Sequence, residues 1–180
     1  LLTHYHAARA LGASAFKGAR ILASDATHGL IAERGKQDME SEIGRLPRLF
    51  REASGIPGLT WPTVTFPDQL SVWLGRREVR VMHIGRGHTA GDVIAVVPDA
   101  GAVFAGDLVE HRAACYCGDA HFADWLATLD ILAGMHPNVL VPGRGAPLVT
   151  PQTAADAIAV AREFIDTLFT SVGESVAKGR

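Results

Sequence analysis

The sequence predicts a mixed fold of the α/β class, of the α+β type, with short strands and amphipathic helices. Four short β-type segments (63–66, 71–74, 78–83 and 93–97) are expected to form antiparallel hairpins. Two apolar stripes at helical spacing follow at 119–133 and from 151 onward. Several apolar segments also end in turns rich in glycine and polar residues, where functional sites are often built. The 180 residues are expected to form a single domain over 1–180.

The composition is that of an ordinary globular domain. The chain is 48% hydrophobic and 20% charged, with a net charge of -2. It has no block of basic residues and no apolar run near the roughly 20 residues of a membrane helix, so we expect neither a nucleic-acid nor a membrane partner. Cys115 and Cys117 are too close for an ordinary stapling disulfide, which favours a reducing compartment and hence a cytoplasmic location.

Two histidines two residues apart are the most informative feature of the N-terminal segment. His4 and His6 lie in Thr3–Gly12, after the apolar Leu1 and Leu2. In an extended segment, residues i and i+2 point to the same side, so both imidazoles can face one point where the chain leaves a strand. The small residues that follow favour a tight turn into a short helix.

Three further apolar segments end in residues that can bind metal ions or anions. His88 lies in a glycine-rich turn, residues 85–92, between segments 78–83 and 93–97. Asp107 closes the strand-like segment 102–107, and segment 139–145 ends in a polar glycine turn with Arg144. We expect these four strand ends to converge on one edge and to bring His4, His6, His88 and Asp107 together.

These motifs resemble the metallo-β-lactamase superfamily of metal-dependent hydrolases over nearly the whole chain. The family pattern is HxHxDH, a histidine in an HTxG turn, an aspartate after a small residue and glycine, and a histidine in a PGHG turn. His4 and His6 match the first pair, His88 matches the HTxG histidine and Asp107 matches the aspartate. The chain departs from the pattern at Ala8, where the family has aspartate, and at Arg9 and Arg144, where it has histidines.

The resemblance implies an αββα sandwich whose first strands precede the HxH motif. Those N-terminal strands are therefore expected to be absent from this chain, together with any signal region. The resemblance also implies an intact site of three histidines and a dismantled second metal site. Oligomeric state is left open.

The implied activity is hydrolysis at one Zn²⁺ per chain, or another divalent metal, held by His4, His6 and His88. Three neutral imidazoles leave tetrahedral zinc one position for water, whose pKa falls to about 7. Asp107 would orient the hydroxide or accept its proton. Arg9 and Arg144 would replace the charge of the second metal beside Asp107 and stabilise an oxyanion or a substrate. The expected partner is a small-molecule substrate, which can be anionic, with an ester, thioester, lactam or lactone bond.

Two alternatives remain open at the level of sequence. One is a catalytically degenerate member of the family that binds a small molecule, which the replacements at Ala8, Arg9 and Arg144 favour. The other is redox or oxygen chemistry at iron, although family members of that kind keep carboxylates that this chain partly lacks.

The remaining elements follow from local patterns. Of the other histidines, His83 is expected to support the site, and His28, His121 and His136 are assigned to the surface or to helix ends. The predicted segments are a strand over 20–24, a helix over 25–34 capped by Gly35, a helix over 36–54 interrupted at Pro47, a turn over 55–58, irregular chain over 108–118, a helix from an Asp119 cap to Ala133, and a last helix beginning at Thr150 and Pro151.

Overall fold

A computed structural model describes residues 1–48, 50–51, 55 and 58–179 of the chain. The chain divides into two compact units, Leu1–Pro67 (unit 1) and Asp68–Arg180 (unit 2). Both contain strands and helices, which confirms the predicted mixed α/β class. The expectation of a single domain over residues 1–180 stays a prediction.

The described part of unit 1 contains two short parallel strands and three helical segments. Strand β1 (Leu22–Ser24) pairs in parallel with β2 (Val64–Phe66). The helical segments are α1 (Ala7–Ala10), a 3-10 turn (Leu11–Ala15) and α2 (Asp25–Arg45). Among the described residues of the unit, one buried hydrophobic cluster contains Leu2, Tyr5, Ala10, Ile21, Ala23 and Ile31.

Helix α2 differs from the predicted pair of helices. It continues through Gly35, which is buried within the helix and is not a cap. A β-carbon at Gly35 would lie 3.1 Å from Leu59 Cδ1, so the glycine permits close packing. The helix ends at Arg45, because Leu46 precedes Pro47 and leaves the helical region, with φ -123° and ψ 53°. The predicted continuation to 54 and the turn 55–58 include Leu49, Glu52, Ala53, Ser54, Ile56 and Pro57, which lie outside the described residues.

The N-terminal histidines do not follow a strand, contrary to expectation. Residues 1–6 form irregular chain that leads directly into α1. One backbone hydrogen bond, from Leu2 N to Leu22 O at 2.8 Å, joins this segment to β1. The prediction of a short helix after the histidines is confirmed by α1 and the 3-10 turn.

In the described part of unit 2, five strands form one sheet in the order β3-β4-β5-β6-β7. Their bounds are β3 Gln69–Leu74, β4 Arg77–Met82, β5 Ile94–Val97, β6 Ala102–Glu110 and β7 Val139–Arg144. Neighbours from β3 to β6 are antiparallel, as predicted for the hairpins, whereas β6 and β7 are parallel. The predicted antiparallel arrangement was wrong for β2, which pairs in parallel with β1.

The core of unit 2 lies between one face of this sheet and two helices. Val96, Val103 and Leu140 are aligned across β5, β6 and β7. They pack with the buried stripes of α3 (Phe122–Gly134) and α4 (Pro151–Ala177). The predicted stripes are buried at Trp125, Leu129 and Leu132 in α3 and at Ala154, Ala157, Ile158, Ala161 and Ile165 in α4.

Two predicted boundaries in unit 2 were wrong. Strand β6 extends past Asp107 to Glu110, because shifts in register keep it paired with β7. Helix α3 begins at Phe122 with His121, not Asp119, at its N-cap. The backbone of His121 is fixed by a bond from its N–H to Gly87 O at 2.8 Å, and Trp125 N donates to His121 O at 2.7 Å.

The beginning of α4 confirms the predicted cap. Thr150 Oγ1 accepts a hydrogen bond from Thr153 N at 3.2 Å, and Thr150 N donates to Thr153 Oγ1 in return. Pro151 occupies the first turn. No described helix combines the length and the apolarity that crossing a lipid bilayer requires.

We predict that Thr150→Ala lowers the free energy of unfolding by about 1 kcal/mol, because the Thr153 N–H in the first turn loses its acceptor, Thr150 Oγ1. The matched control is Thr167→Ala, an exposed threonine in the interior of the same helix, which should change stability by less than about 0.5 kcal/mol. Urea unfolding followed by circular dichroism measures both. Equal effects of the two substitutions would contradict a capping role for Thr150.

Candidate metal centre

The histidine pair of unit 1 is buried and held in a defined orientation. His4 is 1% exposed and His6 is 8% exposed, and their ring centroids are 5.0 Å apart at 80°. Thr3 Oγ1 lies 3.1 Å from His4 Nδ1. A hydrogen bond there leaves Nε2 of His4 as the nitrogen available to a metal.

The start of α1 fixes the backbone of His6. Its carbonyl accepts hydrogen bonds from Arg9 N at 2.9 Å and Ala10 N at 3.0 Å. Asp38 of α2 accepts from Ala7 N at 2.6 Å and so caps the free N–H of the first turn. Ala8 is exposed and Arg9 is partly buried on this helix. The structure therefore places Arg9 one turn after the histidine pair.

His88 lies in a turn of unit 2 that is cross-linked by hydrogen bonds. Asp92 accepts from Thr89 N and from Thr89 Oγ1, each at 2.8 Å, and Asp92 Oδ1 is 3.6 Å from His88 Nδ1. His83 Nδ1 is 2.7 Å from Asp92 O, which agrees with its predicted supporting role. A carboxylate beside a histidine nitrogen orients the ring of a metal ligand. Asp92 is not among the site residues predicted from the sequence, although it closes the GHTAGD turn.

Aromatic rings and a tight glycine surround His88, which is 1% exposed. The rings of Trp125 and Tyr116 each have centroids 6.0 Å from that of His88. Trp125 Nε1 donates to Leu108 O at 3.2 Å. A β-carbon at Gly87 would collide with Leu108 and Trp125, so glycine lets the turn pack against this core. The segment after Asp107 thus contributes Tyr116 to the surroundings of His88.

Asp107 lies in β6 beside Gly143 of β7. It is 5% exposed. A β-carbon at Gly143 would collide with Asp107 Oδ1 and would lie 2.8 Å from the carbonyl carbon and oxygen of Gly106. Gly106 itself has φ 56°, which glycine adopts without strain. The two glycines therefore create the space in which the Asp107 carboxylate lies.

Arg144 forms an ion pair with Glu110, a residue that sequence analysis did not assign to the site. Arg144 Nη1 donates to Glu110 Oε2 at 3.2 Å and lies 3.1 Å from Oε1. The Glu110 side chain is 0% exposed, whereas that of Arg144 is 51% exposed. The signal that could have revealed Glu110 is the apolar Leu108-Val109, which continues the strand beyond Asp107.

Burial raises the pKa of Glu110 above its ordinary value. The charge of Arg144 opposes this shift, whereas the neighbouring carboxylate of Asp107 adds to it, and His88 lowers the pKa. Glu110 therefore interacts electrostatically with all three predicted site residues of unit 2.

The two cysteines are free thiols. Burial raises the pKa of Cys115 to about 11 and raises that of Cys117, whose Sγ donates to Cys115 O at 3.3 Å. Neither is poised to act as a thiolate near neutral pH.

A cavity of about 710 Å³ opens beside Glu110. Its walls include His111 and Arg112 after β6, Gly145 to Leu148 after β7, and Asp156 and Val160 of α4. This volume lies in the range of small-molecule sites, about 300–1,000 Å³.

The donor set of the described residues suits a divalent transition metal. His4, His6 and His88 are buried and can each supply one imidazole nitrogen. Imidazole is a ligand for zinc, copper, iron and nickel. Thr3 Oγ1 is within hydrogen-bond distance of His4 Nδ1, a contact of the kind that orients a metal-binding imidazole, and the Asp92 carboxylate lies 3.6 Å from His88 Nδ1.

Comparison with known proteins identifies relatives of this arrangement. The family model described as the metallo-beta-lactamase superfamily matches residues 1–144. No curated protein sequence matches the chain significantly.

Solved structures share the fold. A metallo-beta-lactamase from Pontibacter korlensis has a TM-score of 0.69 at 21% identity, over 91% of this chain and 66% of that chain. The DIM-1 metallo-beta-lactamase exposed to ceftazidime has a TM-score of 0.64 at 17% identity, over 92% and 66%. The metallo-beta-lactamase IND-7 has a TM-score of 0.64 at 19% identity, over 92% and 66%. The chain thus spans slightly less than two thirds of these proteins.

We predict that the free energy of unfolding of Glu110→Gln increases relative to that of the unaltered chain as pH rises above the ordinary pKa range of glutamate. The raised pKa means that folding favours protonated Glu110, so stability from this group is present at low pH and is lost as the carboxyl ionises. Glutamine does not ionise and avoids this loss. Urea unfolding of both proteins between pH 4 and pH 8 measures the difference, and a difference that does not change with pH would contradict the assigned shift.

Proposed function

Because the chain belongs to the metallo-beta-lactamase superfamily, we propose that it is a metal-dependent hydrolase with one metal ion bound by His4, His6 and His88. The observation that carries this proposal is the set of three buried histidines, each able to supply one ligand nitrogen. Three neutral imidazoles suit mononuclear Zn²⁺, although another divalent metal would fit the same donors.

The surrounding residues are proposed to orient the ligands. Thr3 holds one nitrogen of His4, and Asp92 lies beside His88 in a turn that Thr89 stabilises. These contacts would spare the site the entropic cost of ordering the rings when the metal binds. When bound, the metal supplies Lewis-acid chemistry, by polarising a carbonyl and by making a water nucleophilic near neutral pH.

Asp107 is proposed as the catalytic carboxylate that orients the attacking water or accepts its proton. Its burial and its position at the tight contact with Gly143 support this role. Arg9 and Arg144 are proposed to stabilise the oxyanion or an anionic group of the substrate. The proposed substrates are small molecules with an ester, thioester, lactone or lactam bond.

We predict at most about one tightly bound transition metal per chain. Ala8, Arg9 and Arg144 stand where the family has three further ligands, and none of them offers a lone pair to a metal. His88→Ala should remove nearly all bound metal, because two imidazoles rarely make a stable site. Metal content per chain is measured by elemental analysis after zinc loading and exhaustive dialysis.

The matched control for this measurement is His28→Ala. His28 is an exposed histidine of α2 whose ring is 5.5 Å from that of Trp61. It should leave the metal content unchanged. Two tightly held equivalents in the unaltered protein, or full metal content in His88→Ala, would refute the mononuclear assignment.

We also predict that hydrolysis of activated esters and thioesters rises with pH through a single ionisation near neutrality. Chelation should abolish the activity and zinc should restore it. Steady-state rates on a panel of 4-nitrophenyl esters and thioesters, measured from pH 5 to pH 9, test this. Metal-loaded protein that is inert on the whole panel but binds small molecules would instead favour the catalytically degenerate binding protein.

A further inference from the structure

The backbone around Arg144 is fixed on both sides. Glu110 and Arg144 are the last aligned pair of β6 and β7, and His111 N donates to Arg144 O at 2.9 Å. A β-carbon at Gly145, which has φ 99°, would lie 2.5 Å from His111 O. The strand ends are therefore packed too closely for Arg144 to shift its main chain.

Only one edge of the Arg144 guanidinium is used within the described part of the chain. Nη1 contacts both carboxylate oxygens of Glu110, at 3.1 Å and 3.2 Å. A guanidinium has five N–H groups. Because Nη1 makes both contacts with Glu110 and half of the Arg144 side chain is exposed, the guanidinium has further N–H groups with which it can bind a ligand.

A second arginine–carboxylate ion pair in the same unit, which lies at the surface, serves as a comparison. Arg162 of α4 donates from Nε and Nη2 to the two oxygens of Asp130 in α3, at 2.6 Å and 3.2 Å. The Arg162 side chain is 42% exposed and that of Asp130 is 57% exposed, so neither partner is buried. In this pair two guanidinium nitrogens, Nε and Nη2, each bind one carboxylate oxygen. Because the carboxylate stays exposed to water, forming the pair has a small desolvation cost.

Burying Glu110 is costly, and stability does not explain it. A wholly buried carboxylate loses its hydration, and replacing a buried ion pair by apolar side chains is often neutral or stabilising. The two residues before Glu110 in β6, Leu108 and Val109, are apolar and buried, so a third buried apolar residue would continue the same strand. What a carboxylate provides and an apolar residue does not is a fixed direction for the guanidinium.

We propose that Glu110 is a positioning residue, which holds the Arg144 guanidinium by one edge so that its other N–H groups bind a carboxylate of the substrate. The inference rests on the proposed hydrolase function and narrows its substrates to carboxylate-bearing esters, thioesters, lactones or lactams. A carboxylate is the matching anion because its two oxygens fit the planar fork of arginine. Because Glu110 already orders the guanidinium, the arginine side chain loses less conformational entropy when the substrate binds.

The test compares two esters that differ only in this group, mono-4-nitrophenyl glutarate and 4-nitrophenyl valerate, which has a methyl group in place of the carboxylate. The metal-loaded protein should have the lower KM for the glutarate ester. Glu110→Gln should raise that KM about tenfold, since a loosely held arginine binds the anion less well. The KM for the valerate ester, which has no carboxylate, should change far less, so the ratio of the two KM values measures the lost carboxylate binding.

Three further variants separate positioning from a structural role. Glu110→Asp keeps the charge and should restore part of the preference, and Arg144→Lys keeps the charge of the cation but should lose the preference with its fork. Asp130→Asn is the matched control, because it frees Arg162 in the same unit without touching the site, and both KM values should stay unchanged. If Glu110→Gln does not fold, the positioning role is tested by the other two variants: Glu110→Asp should keep more of the preference for the glutarate ester than Arg144→Lys.

Binding of glutarate, measured by calorimetry, distinguishes this inference from the proposed function. Affinity should fall in the order unaltered protein, Glu110→Asp, Glu110→Gln, whether or not the esters are hydrolysed. If neither ester is hydrolysed and this order holds, the hydrolase proposal fails while the role of Glu110 stands. If the esters are hydrolysed but Glu110→Gln keeps the KM ratio and the glutarate affinity of the unaltered protein, the positioning role is overturned.

Discussion

The parallel pairing of β6 with β7 is the constraint on which the chemistry of unit 2 depends. Both strands end at the same edge, so Asp107, Glu110 and Arg144 come together although Glu110 and Arg144 are 34 positions apart in the sequence. The pairing survives shifts in register because Gly106 adopts a positive φ and Gly143 has no β-carbon to collide with Asp107. Irregularities of this kind re-aim side chains next to functional sites. Without the shifts in register, Glu110 and Arg144 would not be aligned partners.

The turn that carries His88 is rigid for a related reason. It is tied to its own chain through Thr89 and Asp92, and to the start of α3 through the bond from His121 N to Gly87 O. Gly87 lets the turn pack against Trp125 and Leu108 without a collision. A histidine held in this way loses little freedom when it binds a ligand. The hydrogen bonds that fix the fold around His88 are therefore the ones that would prepare it for a metal.

The sequence predicted the type and approximate place of the elements whose pattern is local. The Thr150 and Pro151 cap, the buried stripe of α4 and the strands β3 to β5 depend on near neighbours. Boundaries set by distant contacts were missed. Gly35 reads as a helix cap, but its contact with Leu59 is tertiary, and the start of α3 is set by Gly87 rather than by Asp119. The motif residues were found from spacing, whereas Glu110 is visible only once β6 and β7 are paired.

The Glu110 ion pair changes the electrostatic role assigned to Arg144. Sequence analysis treated Arg9 and Arg144 as two cations that replace the charge of a second metal beside Asp107. Because Glu110 lies against Arg144, an ionised Glu110 offsets part of the guanidinium charge, so Arg144 is a weaker stand-in for a divalent metal than an unpaired arginine. Loss of a second metal would then follow from the missing lone pair at position 144 more than from repulsion. An oriented pair also lets Arg144 attract an anionic group at short range without disturbing the neutral imidazoles that a metal requires.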